Sequence, residues 1–422
     1  MSRTWFPHWL QNGILLPSNQ AYAIVLRNVP GGKTSSGSTS VGSRIARLHR
    51  RHLRYHLQIM LSDAVSGNRS LHHHTASPCP LCAGSSAFLI SRKARDGSPL
   101  STVLCRTCGL ARTDPMPSEQ ELAAYYRDEY RSDYKGVTIP RTKHVLRAAR
   151  LACHRLALLS PLLPPGASVL DLGAGGGEFV YLAGKAGFRA RGVEPNAGYA
   201  NYASQTLGLD IVPGTWQSHH TDAGSLGAVT MFHVLEHLPA PLACLRRLHL
   251  WLQPDGVLIV EVPHLLPGAG NPRNRFHRAH LLHFTPETLT LAFHLAGFDV
   301  LFAKTSSDDG NILVAGRKVA DPASSSANPA SSSANPASSS ANPANPSLVE
   351  RILHWETSRP AIPYLHPRAW LRFLNKIKAA VEERQAASST GDRLQILAAV
   401  AALPPPDESA LSLFWRSATI RP

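Results

Sequence analysis

The sequence predicts an α/β protein whose central part, residues 166–319, folds as a Rossmann-like sheet flanked by helices. Two observations carry that class. The run Val169-Leu170-Asp171-Leu172 ends in the cluster Gly173-Ala174-Gly175-Gly176-Gly177, and a helical pattern follows: a strand, a tight turn and a helix start. Glycines at 173, 175 and 177 remove the Cβ atoms that would hold a ligand away from the backbone, and N–H groups of the helix start then face that ligand. The second observation is Arg189-Ala190-Arg191-Gly192-Val193-Glu194, which reads as a strand ending in a carboxylate. Glu194 lies 17 residues past Gly177, where the acid that takes a cofactor's ribose hydroxyls belongs. A nucleotide-like cofactor is the natural occupant.

The rest of the chain divides around that core. Residues 1–74 form a basic extension expected to be disordered: positions 1–62 hold no Asp or Glu, and Arg44, Arg47, Arg50, Arg51 and Arg54 cluster there, feeding a formal net charge of +15. Such a segment fits an arm for nucleic acid or anionic lipid, an organelle transit peptide, or an extension upstream of a true start at Met60. Arginine outnumbers lysine and alanine and proline abound, as in GC-rich bacteria, which favours the last reading or a nonfunctional extension.

Residues 75–115 read as a zinc-ribbon module. Cys79-Pro80-Leu81-Cys82 and Cys105-Arg106-Thr107-Cys108 form two C-x2-C pairs, and four soft thiolates in two close pairs suit one tetrahedral Zn2+. Ala87–Ile90 and Leu100–Leu104 between them read as a hairpin. Four cysteines leave no open position, so the metal is expected to be structural. Disulfides are the competing reading, disfavoured because no secretory signal precedes the cysteines. Residues 116–165 form a helical connector in which Tyr126, Tyr130 and Tyr134 share one helical face. Their default role is packing, and Tyr126 is also a candidate to reach a polar substrate.

Residues 320–347 repeat Ala-Ser-Ser-Ser-Ala-Asn-Pro and read as a linker, since small polar residues with regular proline bury too little to offset ordering entropy. Residues 348–422 read as a helical appendage carrying Trp355, Trp370 and Phe373. No run approaches the roughly 18 apolar residues of a membrane span, so a cytoplasmic protein is expected.

Asp171-Leu172-Gly173-Ala174-Gly175-Gly176-Gly177 and the acid at Glu194 resemble the class I S-adenosylmethionine-dependent methyltransferases, whose first strand ends D-x-G-x-G-x-G and whose second ends in an acid. The likeness extends through Ala228–Pro239 as the fourth strand and its loop and Leu252–Pro263 as the fifth. Phe298–Phe302 and Asn311–Ala315 follow as a closing antiparallel hairpin, about half the chain in all. The resemblance implies a seven-stranded sheet, S-adenosylmethionine as cofactor, Asp171, Gly173, Gly175 and Gly177 around its methionine part, and Glu194 on its ribose. Where many relatives place an acid for the adenine amine, this chain has Pro213-Gly214-Thr215-Trp216. A dinucleotide-binding dehydrogenase shares the strand, turn and acid, but not His233-Val234-Leu235-Glu236-His237 or the hairpin.

That pentapeptide also matches the H-x-x-E-H pattern of certain zinc proteases, whose ligands sit within a helix. Here an apolar strand runs into His233, with Pro239 and Pro241 close behind, so His233 and Glu236 are instead candidates for cofactor or substrate contact. Helix-start capping is an equally good account of Glu236 and His237.

The acceptor side is sought in Phe276-His277-Arg278-Ala279-His280-Leu281-Leu282-His283-Phe284-Thr285. Together with the cysteine module, this segment resembles bacterial sugar C-methyltransferases, which read Y-H-E-H-L-x-x-F-S there and place tyrosine, glutamate and histidine at the reacting centre. His280 falls on the histidine, Ala279 on the glutamate and His277 on the tyrosine, so the carboxylate is missing. His280 is the leading candidate for a base, against the reading that His277, His280 and His283 merely order the loop. The expected function is methyl transfer to a small polar acceptor such as a nucleotide-linked sugar or natural-product intermediate. O-methylation of another metabolite is the enzyme alternative. A nucleic-acid-binding or RNA-methylating protein is the other alternative, disfavoured because aromatic stacking motifs are absent.

Overall fold

Apolar strands that read as near-continuous hydrophobic runs must be covered on both faces, and the central sheet is built that way. The computed structural model describes residues 73–118, 120–122, 142–266, 275–319, 343–357, 383 and 392–418. The basic extension to residue 72, Tyr126, Tyr130 and Tyr134, and most of the repeat linker lie outside the described residues.

The sheet order is β7 (Ile211–Pro213), β6 (Arg189–Glu194), β5 (Ser168–Leu172), β8 (Leu226–Phe232), β9 (Leu252–Pro263), β12 (Asn311–Lys318), β11 (Phe298–Ser306) and β13 (Trp415–Ser417). The first five run parallel and the last three are added antiparallel. Among the described residues the expected count of seven is therefore eight. The extra strand comes from the C-terminal segment, where three residues pair with Lys304, Thr305 and Ser306.

Side chains alternate between the two faces. Leu170, Leu172, Val229, Met231, Leu258, Val260 and Val262 meet α4 (Pro241–Trp251) and α5 (Pro286–Leu295). Val169, Ala228, Val257 and Ile259 meet α1 (Thr142–Leu159), α2 (Glu178–Lys185) and α7 (Arg393–Ala401). Local chemistry sets the helix ends. Asn196 caps α3 (Ala197–Leu207) through Tyr199 N, Gly208 closes that helix in the left-handed conformation, and Thr285 and Thr288 form a capping box with Pro286 at the start of α5.

The second sheet has the order β1 (His73–Thr75), β2 (Ser86–Lys93), β3 (Pro99–Cys105), β4 (Ala111–Thr113) and β10 (Leu282–His283). Four of its strands belong to the cysteine module. The fifth belongs to the histidine segment after β9, with Leu282 opposite Arg112 and His283 opposite Ala111. The C-terminal region, read from sequence as an appendage, is instead distributed over the structure. Leu348, Val349 and Ile352 of α6 (Pro346–Thr357) share a core with Leu104, Ala111, Leu265 and Phe276, Asn345 N donates to Thr107 O at 2.8 Å, and α7 covers the main sheet. Among the described residues, no helix is long and apolar enough to cross a membrane.

Candidate functional site at the carboxyl edge of the sheet

In an open parallel sheet, ligands bind outside the carboxyl ends of the strands, where the chain reverses direction across the sheet. That place is the top of β5, between β6 and β8. The turn after β5 crosses β6, with Gly173 N and Ala174 N donating to Val193 O at 2.8 and 3.1 Å. Gly175 N donates to Glu194 Oε2 at 2.8 Å, and Asn196 N to Oε1 at 2.8 Å. The carboxylate thus clamps the glycine turn to the end of β6 and keeps lone pairs for a ligand's hydroxyls.

The three glycines do different things. Gly175 has φ +55°, and a Cβ there would meet nothing within 4 Å, so this face of the turn is open. Gly173, at φ +75°, is closed by protein instead: a Cβ would lie 2.4 Å from Val234 Cγ2. Gly177 similarly backs onto Leu209. The sequence expectation that all three clear space for a ligand is thus corrected at two of them, which admit neighbouring loops.

Asp171 is 3% exposed and sits in register beside Thr230 of β8, whose Oγ1 donates to Oδ1 at 2.7 Å. Burial pushes its carboxyl up to about 7, against the Thr230 hydrogen bond that favours the anion. Past β7, where the sequence has no adenine-binding acid, the loop is closed on itself, with Thr215 N donating to Ser218 Oγ at 2.9 Å.

His233 follows β8 with φ +61°, a strained conformation for a non-glycine residue, held by its N–H donating to Glu261 O at 2.8 Å. Its ring spans two carboxylates, with Nδ1 3.4 Å from Glu236 Oε1 and Nε2 3.3 Å from Glu261 Oε1. Burial works against protonation, yet Glu236 and Glu261 outweigh it and push His233 up to about 9. Glu261 is itself held by Arg155 Nε at 2.7 Å and Asn311 Nδ2 at 2.9 Å. Its carboxyl is driven down to about 2, Arg155 and His233 overcoming the opposing effect of burial. The helix-borne ligand geometry of a protease is absent here: His233 ends a strand, and Glu236 and His237 lie in a 3-10 turn.

The histidine segment is brought onto this turn. Leu281 N donates to Glu236 O at 2.8 Å, His237 Nδ1 lies 2.7 Å from Ala279 O, and the His237 and His280 ring centroids are 4.9 Å apart. Thr113 N of the cysteine module donates to Leu281 O at 2.9 Å, so the segment is tied from both sides. Burial first, then neighbouring imidazoles led by His237, hold His280 down to about 2, far from the near-neutral environment expected of a base. His283 is 6% exposed and its ring packs edge-on to Phe276 at 5.0 Å, a packing position.

In the cysteine module, Cys79 Sγ is 3.6 Å from Cys108 Sγ and Cys82 Sγ is 3.5 Å from Cys105 Sγ, and all four sulfurs lie within 4.8 Å of one another.

A family described as "Methyltransferase domain" matches residues 144–302. Those residues are similar to a methyltransferase domain. Their sheet order, glycine turn and second-strand acid are those of the class I S-adenosylmethionine-dependent kind. The chain is also 26% identical over 223 residues to the C-methyltransferase NovU of Streptomyces niveus, covering 51% of this chain and 50% of that protein. It thus spans about half the length of the curated relative it matches. Two solved structures align over the domain. The 1,6-didemethyltoxoflavin-N1-methyltransferase of Burkholderia thailandensis is 21% identical, with 52% of this chain and 96% of that chain covered and a TM-score of 0.38. A methyltransferase of Thermotoga maritima, described as a possible histamine N-methyltransferase, is 20% identical, with coverages of 47% and 99% and a TM-score of 0.36.

Two site residues of the methyltransferase domain escaped the sequence reading, Glu261 and Arg155. A signal existed: a lone acid in the run Val257-Leu258-Ile259-Val260-Glu261-Val262 sits in a strand buried on both faces, where a charge must be paired. Its partner stands 106 residues away in α1, which no local pattern reveals.

Proposed function

We propose that the protein transfers a methyl group from S-adenosylmethionine to a small polar acceptor, of the class of nucleotide-linked sugars or natural-product intermediates. The observation that carries this reading is the open face of Gly175, clamped by Glu194 and bordered by buried Asp171, one loop away from the Glu236 and His280 cluster. The cofactor supplies an electrophilic methyl group on its sulfonium. Around it, Glu194 would accept from the ribose hydroxyls, and Asp171 would face the cationic methionine part across the turn. The acceptor would lie against His233, Glu236 and His280, with Glu236 providing the carboxylate that the histidine segment lacks at Ala279. Tyr126 remains a candidate on the acceptor side.

Asp171 gives this reading a proton signature. A raised carboxyl means that the folded protein keeps a proton the unfolded chain has lost, so its stabilising contribution is complete below about pH 4 and fades as pH rises through about 7. A cationic cofactor favours the anion, so binding near pH 6.5 is expected to release a proton. Calorimetric titration of S-adenosylmethionine in two buffers of different ionisation enthalpy should give different heats, and Asp171→Asn should remove the difference. Equal heats for the unmodified protein would place the methionine part away from Asp171.

The acceptor side is tested by comparing His280→Asn with His283→Asn, using labelled S-adenosylmethionine and a panel of acceptors. His280→Asn is expected to leave affinity for S-adenosylhomocysteine nearly intact and to cut turnover about a hundredfold. His283→Asn should act through stability, since that ring is packed. Equal small losses in turnover would assign both rings to loop order.

The four cysteines suit one structural zinc, the finer part of the proposal. Around a tetrahedral ion with Zn–S bonds of about 2.3 Å, sulfurs stand about 3.8 Å apart. The Cys82–Cys105 and Cys79–Cys108 separations, 3.5 and 3.6 Å, leave room for that ion with little movement.

A further inference from the structure

His237 has a fixed tautomer. Nδ1 lies 2.7 Å from the Ala279 carbonyl oxygen, and a carbonyl only accepts, so Nδ1 carries the proton. In the neutral ring Nε2 is then a lone pair, and 3.9 Å from it stands Glu236 Oε1. Glu236 is 1% exposed, and neither of its carboxylate oxygens accepts a hydrogen bond; His233 Nδ1, at 3.4 Å, is the nearer of the two ring nitrogens that face it. His280 completes the group, since one ligand atom each from Glu236, His237 and His280 fall within 4.8 Å of one another. Two imidazoles and a carboxylate thus converge on one place, beside the His233 ring that also faces Glu236 Oε1.

The surroundings hold these groups as they hold metal ligands elsewhere. A ligating histidine usually donates its second ring nitrogen to a carbonyl or carboxylate, as His237 does here. The backbone fixes the spacing between the two contributing loops through Leu281 N to Glu236 O at 2.8 Å, and His280 N donates to His277 O at 3.0 Å. His277 is turned to its own segment, its Nδ1 accepting from Ala279 N at 2.9 Å.

We propose that Glu236, His237 and His280 form a second metal site, for a divalent first-row transition ion, with positions left open to an oxygen of the acceptor. Two imidazoles and one carboxylate suit Zn2+, Fe2+ or Co2+, and are too poor in oxygen for Ca2+ or Mg2+. Donor atoms around such an ion stand about 3.3 Å apart, so the side chains close on it by small rotations. The site adjoins the cofactor turn through Val234, which packs over Gly173. The acceptor's place beside the ion rests on the methyl-transfer reading; the ion itself does not.

The test is a Co2+ titration of the full chain with zinc already in the four-cysteine module. One further equivalent of cobalt is expected to bind saturably, giving a ligand-field spectrum without thiolate charge-transfer bands. Glu236→Gln and His237→Gln should each weaken that binding by at least about a hundredfold while keeping one zinc per chain. Absence of saturable cobalt binding to the unmodified protein would overturn the proposal, leaving the His233 ring as the cation that faces Glu236. Unchanged binding in both variants would overturn it too, placing the ion elsewhere. S-adenosylhomocysteine binding is measured apart, so either failure leaves the methyl-transfer reading standing.

Discussion

Gly175→Val is expected to abolish S-adenosylhomocysteine binding in a protein that still folds. The backbone there has φ +55°, so a β-branched residue costs about 1–2 kcal/mol in strain. No protein atom lies within 4 Å of the added Cβ, so the substitution acts on the ligand's space and not on packing. Glu194→Ala is the graded companion. It removes the acceptor of Gly175 N and Asn196 N and of the ribose hydroxyls, and a net loss of about 2 kcal/mol weakens binding roughly thirtyfold. Calorimetric titration reads both. Unchanged affinity in the two variants, or tighter binding of a nicotinamide dinucleotide, would end the methyltransferase reading of this turn.

Cys105→Ser is expected to release zinc and to bring methyl transfer to background while S-adenosylhomocysteine affinity stays within a few fold. Cys105 is fully buried at the end of β3, and its module supplies β4, against which β10 pairs. When the module loosens, Thr113 no longer holds Leu281, and the strand that fixes His280 against His237 loses its outer partner. The cofactor turn depends on β5 and β6, which among the described residues share no strand pairing with the module's sheet. Elemental analysis, titration and turnover on the same sample separate these effects. Full turnover in a zinc-free variant would show that the module does not position the histidine segment.

What the sequence made legible was local. A strand, a glycine turn and an acid at the next strand's end are short-range patterns, and so are two C-x2-C pairs around a hairpin. What stayed hidden was non-local or very short. Two residues, Leu282 and His283, form the strand that pairs the histidine segment with the cysteine module, and no periodicity can be read from two residues. The segment has no carboxylate at Ala279 but lies against Glu236 of another loop, and Glu261 meets Arg155 across the fold. The histidine pattern marked out the segment, yet the burial that sets His280 apart from a free base appears only in three dimensions.

The eighth strand also covers an edge of the sheet. A sheet's outermost strand presents unpaired N–H and C=O groups that can template a strand from another chain. At one end of this sheet β7 is three residues long and contains Pro213, which cannot donate. At the other end β11 carries half-exposed Leu301, and Trp415–Ser417 lie along Lys304–Ser306, with Ala418 N donating to Ala303 O at 2.9 Å. Trp415, 2% exposed, anchors that cover in the core. A chain cut before Trp415 would bare this stretch of β11 and gain a surface for edge-to-edge aggregation.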